Sequence, residues 1–157
     1  VRMPKRREER FLPFAAVDML DLVADVRSYP EFLPWCHAVR LKKHWNDGAV
    51  SGFEADMVIK FKVFSETFTS AVTVDRNDMI VCVDYVRGPF KNLNNQWTFR
   101  DVEGGCQLEF FVDFTFKSFV LQSVVTALFD EAMSRVVAAF ERRAHALYDE
   151  KTRLHHT

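Results

Sequence analysis

The sequence predicts an α+β fold in which a curved antiparallel β-sheet wraps around a long C-terminal α-helix. Three observations carry that reading. Residues 53–63 and 106–117 alternate apolar and polar side chains with a period of two, the mark of strands with one dry and one wet face. Turn-forming residues separate these and similar runs, so consecutive strands pair antiparallel. A stripe of apolar residues at helical spacing then extends from Phe119 to Tyr148. Such a helix spans roughly 45 Å, enough to cross a bent sheet whose dry face is the only partner large enough to bury the stripe.

The elements follow in order. In 15–26, AAVDMLDLVADV, the residues Val17, Leu20, Val23 and Ala24 fall at helical spacing, with Asp18, Asp21 and Asp25 opposite, which predicts a short amphipathic helix. The stretch SYPEFLPWC at 28–36 holds two prolines four apart and three aromatics; it predicts a compact turn or single helical turn. From 37 to 117 a meander of about six strands is expected. Its cleanest members place Phe53, Ala55, Met57, Ile59, Phe61 and Val63 on one face, and Cys106, Leu108, Phe110, Val112, Phe114 and Phe116 on another. Runs at 66–75, 79–87 and 97–102 are less regular, with turn chemistry at Asn46-Asp47-Gly48, Arg76-Asn77-Asp78 and Glu103-Gly104-Gly105. The last helix carries Leu121, Val125, Leu128, Ala132, Val136, Ala139 and Arg143 on its stripe.

Composition narrows the function classes. The 157 residues carry 21 Lys and Arg against 22 Asp and Glu, net −1, a poor match to a protein that grips a phosphate backbone, and no DNA partner is expected. Three cysteines, at 36, 82 and 106, form no Cys-x-x-Cys or Cys/His cluster; free thiols in a reducing compartment are expected. No stretch is long and apolar enough to be a transmembrane helix, and the basic residues Arg2, Lys5, Arg6, Arg7 and Arg10 do not precede a secretory apolar core. The histidines at 37, 44, 145, 155 and 156 lack metal-ligand spacing, so no metal and no covalent cofactor is expected. There is no nucleophile elbow or phosphate loop, and no enzyme activity is expected. The unusual count is Phe, 16 residues against three Tyr and three Trp. These rings demand a large core, a lined cavity or a sticky face.

The block VADVRSYPEFLPWC at 23–36 is similar to the signature of the coenzyme Q-binding protein and ribosome association toxin family, a START-like group in the polyketide cyclase superfamily. Further matches are FKVFSETFTS at 61–70, Gly88-Pro89-Phe90 with Leu93 and Trp97-Thr98-Phe99, and FDEAMSRVVAAFERRAHALY at 129–148. The resemblance covers about residues 9–148 of what is read as one domain spanning 1–157. Two positions depart from the family's pattern: Val63 follows Phe-Lys where a glycine is usual, and Asn95-Gln96 precedes Trp97 where a glycine is typical. The resemblance implies the helix-grip fold and a cavity for ubiquinone or a related polyisoprenoid lipid, bound as ligand by a carrier supporting respiration. Residence in the cytoplasm or peripherally at the inner membrane is expected, with transient membrane contact, because a quinone must leave a bilayer to be captured.

Candidate lining residues are Phe61, Phe68, Tyr85, Phe99, Phe110 and Phe114 from the sheet, with Leu128 and Val136 from the helix. For any single ring core packing is the commoner role, and the case for a cavity rests on their number. Glu66 shares a face with Phe68 and Ser70, either at the cavity mouth as a polar contact or at a watery strand end. Tyr85 could offer its hydroxyl to a quinone carbonyl or to the backbone. Phe32 and Trp35 are read as a plug or an entrance, Pro89 and Phe90 as a gate or a tight turn, and Phe119, with Val120 and Leu121, as a membrane-touching rim or as core. Two other functions stay open. One is ribosome-linked inhibition of translation through a basic patch from residues 2–10, Arg135, Arg142 and Arg143. The other is a cyclase-like enzyme built on Glu66, Ser70 and Tyr85.

Overall fold

The computed structural model describes residues 5–155. Seven strands form one antiparallel sheet: β1 (Lys5–Leu12), β2 (Cys36–Asp47), β3 (Val50–Phe61), β4 (Phe64–Asp75), β5 (Ile80–Arg87), β6 (Phe90–Val102) and β7 (Gly105–Phe116). Their spatial order is β1-β7-β6-β5-β4-β3-β2, so β2 to β7 form a meander and β1 returns to the edge beside β7. Helix α1 (Ala16–Ala24) and a 3-10 turn (Val26–Glu31) lie between β1 and β2; α2 (Phe119–Ala127) and α3 (Phe129–His155) close the chain. This is the α+β helix-grip arrangement expected from the periodicities.

Five details differ from the sequence expectation. First, β6 runs 13 residues from Phe90, whereas the alternation is legible only from Trp97; Asn92, Asn94, Asn95 and Gln96 hide it. Asn95 faces inward because its amide is satisfied there: it donates to the Phe111 carbonyl at 2.8 Å and accepts from the Trp97 indole at 2.7 Å. Second, Val63 belongs to no strand. It sits at the tip of the β3–β4 hairpin, 93% exposed, after Lys62 at φ 55°.

Third, β1 is a strand although its sequence, KRREERFL, shows no apolar alternation. Its inward positions are charged, and α3 supplies their partners: Arg6 reaches Asp130 at 3.3 Å and Arg10 reaches Glu141 at 2.8 Å, while Glu8 pairs with both arginines. Fourth, α1 buries Ala16, Met19, Leu20, Leu22 and Val23, and leaves Val17 half exposed. No side chain of α1 caps its start; Asp101 of β6 accepts the Ala16 N–H at 2.8 Å and so sets the helix's rotation on the sheet.

Fifth, the terminal helix is two helices. The β-branched run Val124-Val125-Thr126 weakens the helix, and the Leu128 N–H is shared between the carbonyls of Val124 and Val125 at 3.3 and 3.2 Å. Helix α2 is capped by Ser118, whose hydroxyl accepts the Leu121 N–H, and is pinned by Gln122, whose side-chain carbonyl accepts the Phe116 N–H at 2.7 Å.

The core occupies the end of the sheet near the β6–β7 turn. There α1 and the second half of α3 pack Met19, Leu20, Val23, Phe140 and Ala144 against Val81, Trp97, Phe99, Cys106 and Phe110. Gly105 brings β7 against the end of β1: a Cβ there would collide with the Leu12 carbonyl oxygen. Gly105→Ala is expected to cost at least about 2 kcal/mol, read from denaturant midpoints, because the obstacle is backbone that cannot rotate away. On the outer face, Asp56 accepts from the Thr69 hydroxyl and pairs with Lys42 at 3.0 Å, which holds its carboxyl below the usual carboxylate range. The stability it contributes is present above the unfolded-state value near 3.9 and is lost as pH falls through the lower folded value. Thr69→Val should reduce the slope of stability against pH below pH 4, measured by urea melts.

Candidate functional site

The strands outrun the helical cover. At the end of the sheet that holds the β3–β4 and β5–β6 turns, the strands and the helices enclose a cavity of about 230 Å³. The sheet contributes Ile59 and Phe61 of β3, Phe64, Glu66 and Phe68 of β4, Phe90 and Leu93 of β6, and Phe114 and Phe116 of β7. Trp35 and Pro89 close two sides, and the roof is Leu121, Val125, Leu128, Ala132, Met133 and Val136. The kink at Leu128 makes this roof, since it carries α2 across the end of β7 while α3 turns down the sheet.

The rings are rigidly placed. Phe90 is buried, stacks on Phe116 at 4.4 Å, and meets Phe68, Tyr85 and Phe114 edge-on at 5.2, 5.6 and 6.1 Å. Its N–H donates to the Tyr85 hydroxyl at 3.2 Å. Phe90 is therefore the hub of an aromatic cluster. Trp35 adopts φ 66° and stands edge-on to Phe61 at 5.2 Å, while its carbonyl accepts the Lys60 N–H at 2.9 Å. Gly88, at φ 140°, lets the β5–β6 turn lie against Phe68, where a side chain would clash.

Glu66 is the one ionisable side chain on the cavity lining. It is half-buried, opposite Ile59 and close to the β3–β4 hairpin. A shallower recess of about 190 Å³ shares Trp35, Phe61, Leu128 and Ala132 with the cavity and adds Lys62, Glu131 and Arg135. The cavity thus has a dry interior and a polar vestibule between the β3–β4 hairpin and the first turns of α3.

Of the residues singled out in the sequence, the structure brings Phe61, Phe68, Phe114, Leu128, Val136, Glu66, Trp35, Pro89 and Phe90 to this cavity. Phe99 and Phe110 lie at the other end of the sheet, where Phe110 meets the Trp97 ring at 4.7 Å. They share the dry face but not the space, because α1 and α3 fill that half. Tyr85 stands behind Phe90 with its hydroxyl taken by the backbone. Phe32 does not line the cavity; it packs against the core on Tyr29 and Phe140 at 5.8 and 5.3 Å, beneath the Arg143 guanidinium. Phe119 points outward and is 69% exposed. Sequence reasoning did not assign Ile59, Phe64, Leu93, Phe116, Leu121, Val125, Ala132 or Met133 to the cavity; their only signal was strand parity or helical spacing next to residues already chosen.

Five of the seven arginines expected to form a basic patch are engaged, and Arg142 forms no ion pair among the described residues. Arg6 and Arg10 bind β1 to α3, Arg7 pairs with Glu109, Arg135 with Glu131 at 3.1 Å, and Arg143 with Glu31 at 3.6 Å. Arg2 lies outside the described residues, as do His156 and the side chain of His155. Among the described residues no group of three His, Cys, Asp or Glu is placed to hold a metal ion. Ser70 is buried in β4 and, like Tyr85, does not line the cavity, so Glu66 has no polar companion there. Burial pushes the Cys36 and Cys106 thiols up to about 11, away from nucleophilic use. No helix is long and apolar enough to cross a membrane among the described residues.

A curved sheet gripping a helix over an apolar cavity defines a START-like protein. The sequence matches the polyketide cyclase/dehydrase and lipid transport family over residues 12–141, and the chain belongs to that family. It is 33% identical to the ribosome association toxin RatA of Rickettsia prowazekii over 86% of this chain and 92% of that protein. It is 30% identical to the mitochondrial coenzyme Q-binding protein COQ10 homolog B of Xenopus laevis, over 90% of this chain and 58% of that longer protein. Among solved structures, an 18 kDa protein of Caulobacter crescentus superimposes with a TM-score of 0.79 at 34% identity, covering 94% of this chain and 99% of that one. The Zhui aromatase/cyclase of a Streptomyces species shares the fold, with a TM-score of 0.75 at 13% identity, over 91% and 94% of the two chains.

Ala132→Phe should fill the cavity from the roof without disturbing the core at the other end. The expected result is at least a tenfold loss of binding of an apolar fluorescent probe such as anilinonaphthalene sulfonate, with the circular dichroism spectrum unchanged.

Proposed function

We propose that the protein binds ubiquinone or a related polyisoprenoid lipid in this cavity and carries it unconverted, in support of respiratory electron transport. The observation that carries the reading is the lining itself: rings and aliphatic side chains throughout, with a lone carboxylate at the wet end. Such a surface rewards an apolar ligand with a single polar end. About 230 Å³ lies just under the usual range of roughly 300–1,000 Å³ for small-molecule sites. It accommodates a ring-sized head group or a short isoprenoid segment, and the remainder of a long tail leaves through the vestibule. A carboxylate accepts hydrogen bonds and donates none, so Glu66 pairs with a hydroxyl of the reduced ring better than with a quinone carbonyl. The name of the Xenopus relative supports quinone as the ligand class. The absence of a second polar group beside Glu66 favours binding over conversion.

The names of the bacterial relatives favour a second reading, association with the ribosome. The pairing of Arg6, Arg7, Arg10, Arg135 and Arg143 leaves little of the expected basic patch for it. Organic extraction of the purified protein followed by mass spectrometry tests the carrier reading. A near-stoichiometric quinone is expected in the wild type and in Phe110→Leu, which alters only the filled half of the core. It should be absent from Ala132→Phe, and Glu66→Gln should weaken binding of added quinol several-fold more than that of quinone. Empty protein that also fails to take up added ubiquinone, together with co-sedimentation with ribosomal subunits, would decide for the second reading.

A further inference from the structure

The antiparallel order sends alternate connections to opposite ends of the sheet, and the two ends carry opposite charge. At the cavity end, the β3–β4 hairpin holds Lys60 and Lys62, the β5–β6 turn Arg87 and Lys91, and the β7–α2 junction Lys117. No acidic residue occurs within 60–64, 87–91 or 117–120. At the other end Asp47, Asp75, Asp78, Asp101 and Glu103 lie in or beside the turns, against two cations, Arg100 and Arg76, the latter paired to Asp21 at 2.8 Å. All five cations at the cavity end are exposed, and none forms an ion pair among the described residues, although Arg87 also lends its field to Asp56. The nearest acids on α3, Asp130 and Glu131, are taken up by Arg6 and Arg135.

The same turns carry the most exposed large apolar side chains among the described residues. Val63 is 93% exposed at one tip, and Phe119 and Val120 are 69% and 62% exposed at another. Tertiary structure does not require them there, since α2 is already held by Ser118 and Gln122. Apolar tips set among unpaired lysines suit a surface that is anionic outside and hydrocarbon within. An RNA backbone would reward the lysines but not Val63, Phe119 and Val120.

We infer that the cavity end of the sheet is a docking face for an anionic lipid bilayer, with Lys62, Lys91 and Lys117 on the headgroups and Val63, Phe119 and Val120 below them. The face rests on the carrier reading for its purpose, since it sets the vestibule against the membrane from which a lipid is drawn. Its evidence, charge and exposure, is separate. The net charge of −1 hides this polarity because the acids of the opposite end cancel it.

Flotation with quinone-free vesicles tests it. Binding is expected to phosphatidylcholine vesicles containing phosphatidylglycerol, to weaken as salt rises, and to be at least tenfold weaker on phosphatidylcholine alone. Each lysine near the surface is worth about a fivefold change in affinity, so Lys62→Gln/Lys91→Gln/Lys117→Gln should lose about a hundredfold. Val63→Ser/Phe119→Ser should weaken binding on both vesicle types, and Arg142→Gln, on the far part of α3, should change neither. Vesicle binding by a protein that yields no quinone on extraction and takes up no added ubiquinone would support the docking face while removing the carrier reading. Absence of vesicle binding, or binding indifferent to the lysine variants, overturns the inference. Ribosomal-subunit binding that those variants abolish, with no flotation, overturns it too and gives the face to RNA.

Discussion

The contact between one helix and one face of the sheet sets the terms for everything else in this molecule. Seven strands present more dry surface than a single helix can cover, and α1 is short. Cover is therefore concentrated where α1 and the second half of α3 lie together, and Met19, Leu20, Val23 and Phe140 fill that half. The remaining half is roofed by α2 and the start of α3 at a distance. The result is a packed core and a cavity on the same continuous apolar face, separated by no change in residue type. The break at Leu128 follows from the same constraint, since a straight helix could not cover both the end of β7 and the length of the sheet.

Charge serves this architecture in two different ways. Along the seam between β1 and α3, Arg6, Glu8 and Arg10 meet Asp130 and Glu141, so the edge strand is aligned with the helix by ion pairs where other strands use apolar contacts. These partly buried pairs specify register, because a one-residue slip would turn all three inward side chains to solvent. At the cavity end Lys60, Lys62, Arg87, Lys91 and Lys117 form no ion pair among the described residues.

The fold is shared by proteins named as toxins, quinone-binding proteins and cyclases. What separates such functions is the lining of the space beneath the helix. In this chain that lining joins an aromatic cluster centred on Phe90 to the carboxylate of Glu66, with Lys62, Glu131 and Arg135 at the opening. Within the cavity itself Glu66 is the one ionisable side chain on the lining.

The sequence by itself determined the fold class, the antiparallel meander and which faces are dry, because period-two and period-3.6 patterns are local consequences of backbone geometry. It also picked out nine of the cavity's residues, since strand parity assigns a face. Tertiary structure alone decided how far along each strand that face is filled. Phe99 and Phe110 have the same parity as Phe114, yet α1 and α3 bury them in solid core. Two strands were obscured because inward polar groups need partners: Asn95 of β6 finds them in Trp97 and the neighbouring strand's Phe111, whereas the inward charges of β1 are satisfied by Asp130 and Glu141, far away in sequence. A local pattern cannot reveal a partner more than a hundred residues away, and in this protein such partners decide where the core ends and the cavity begins.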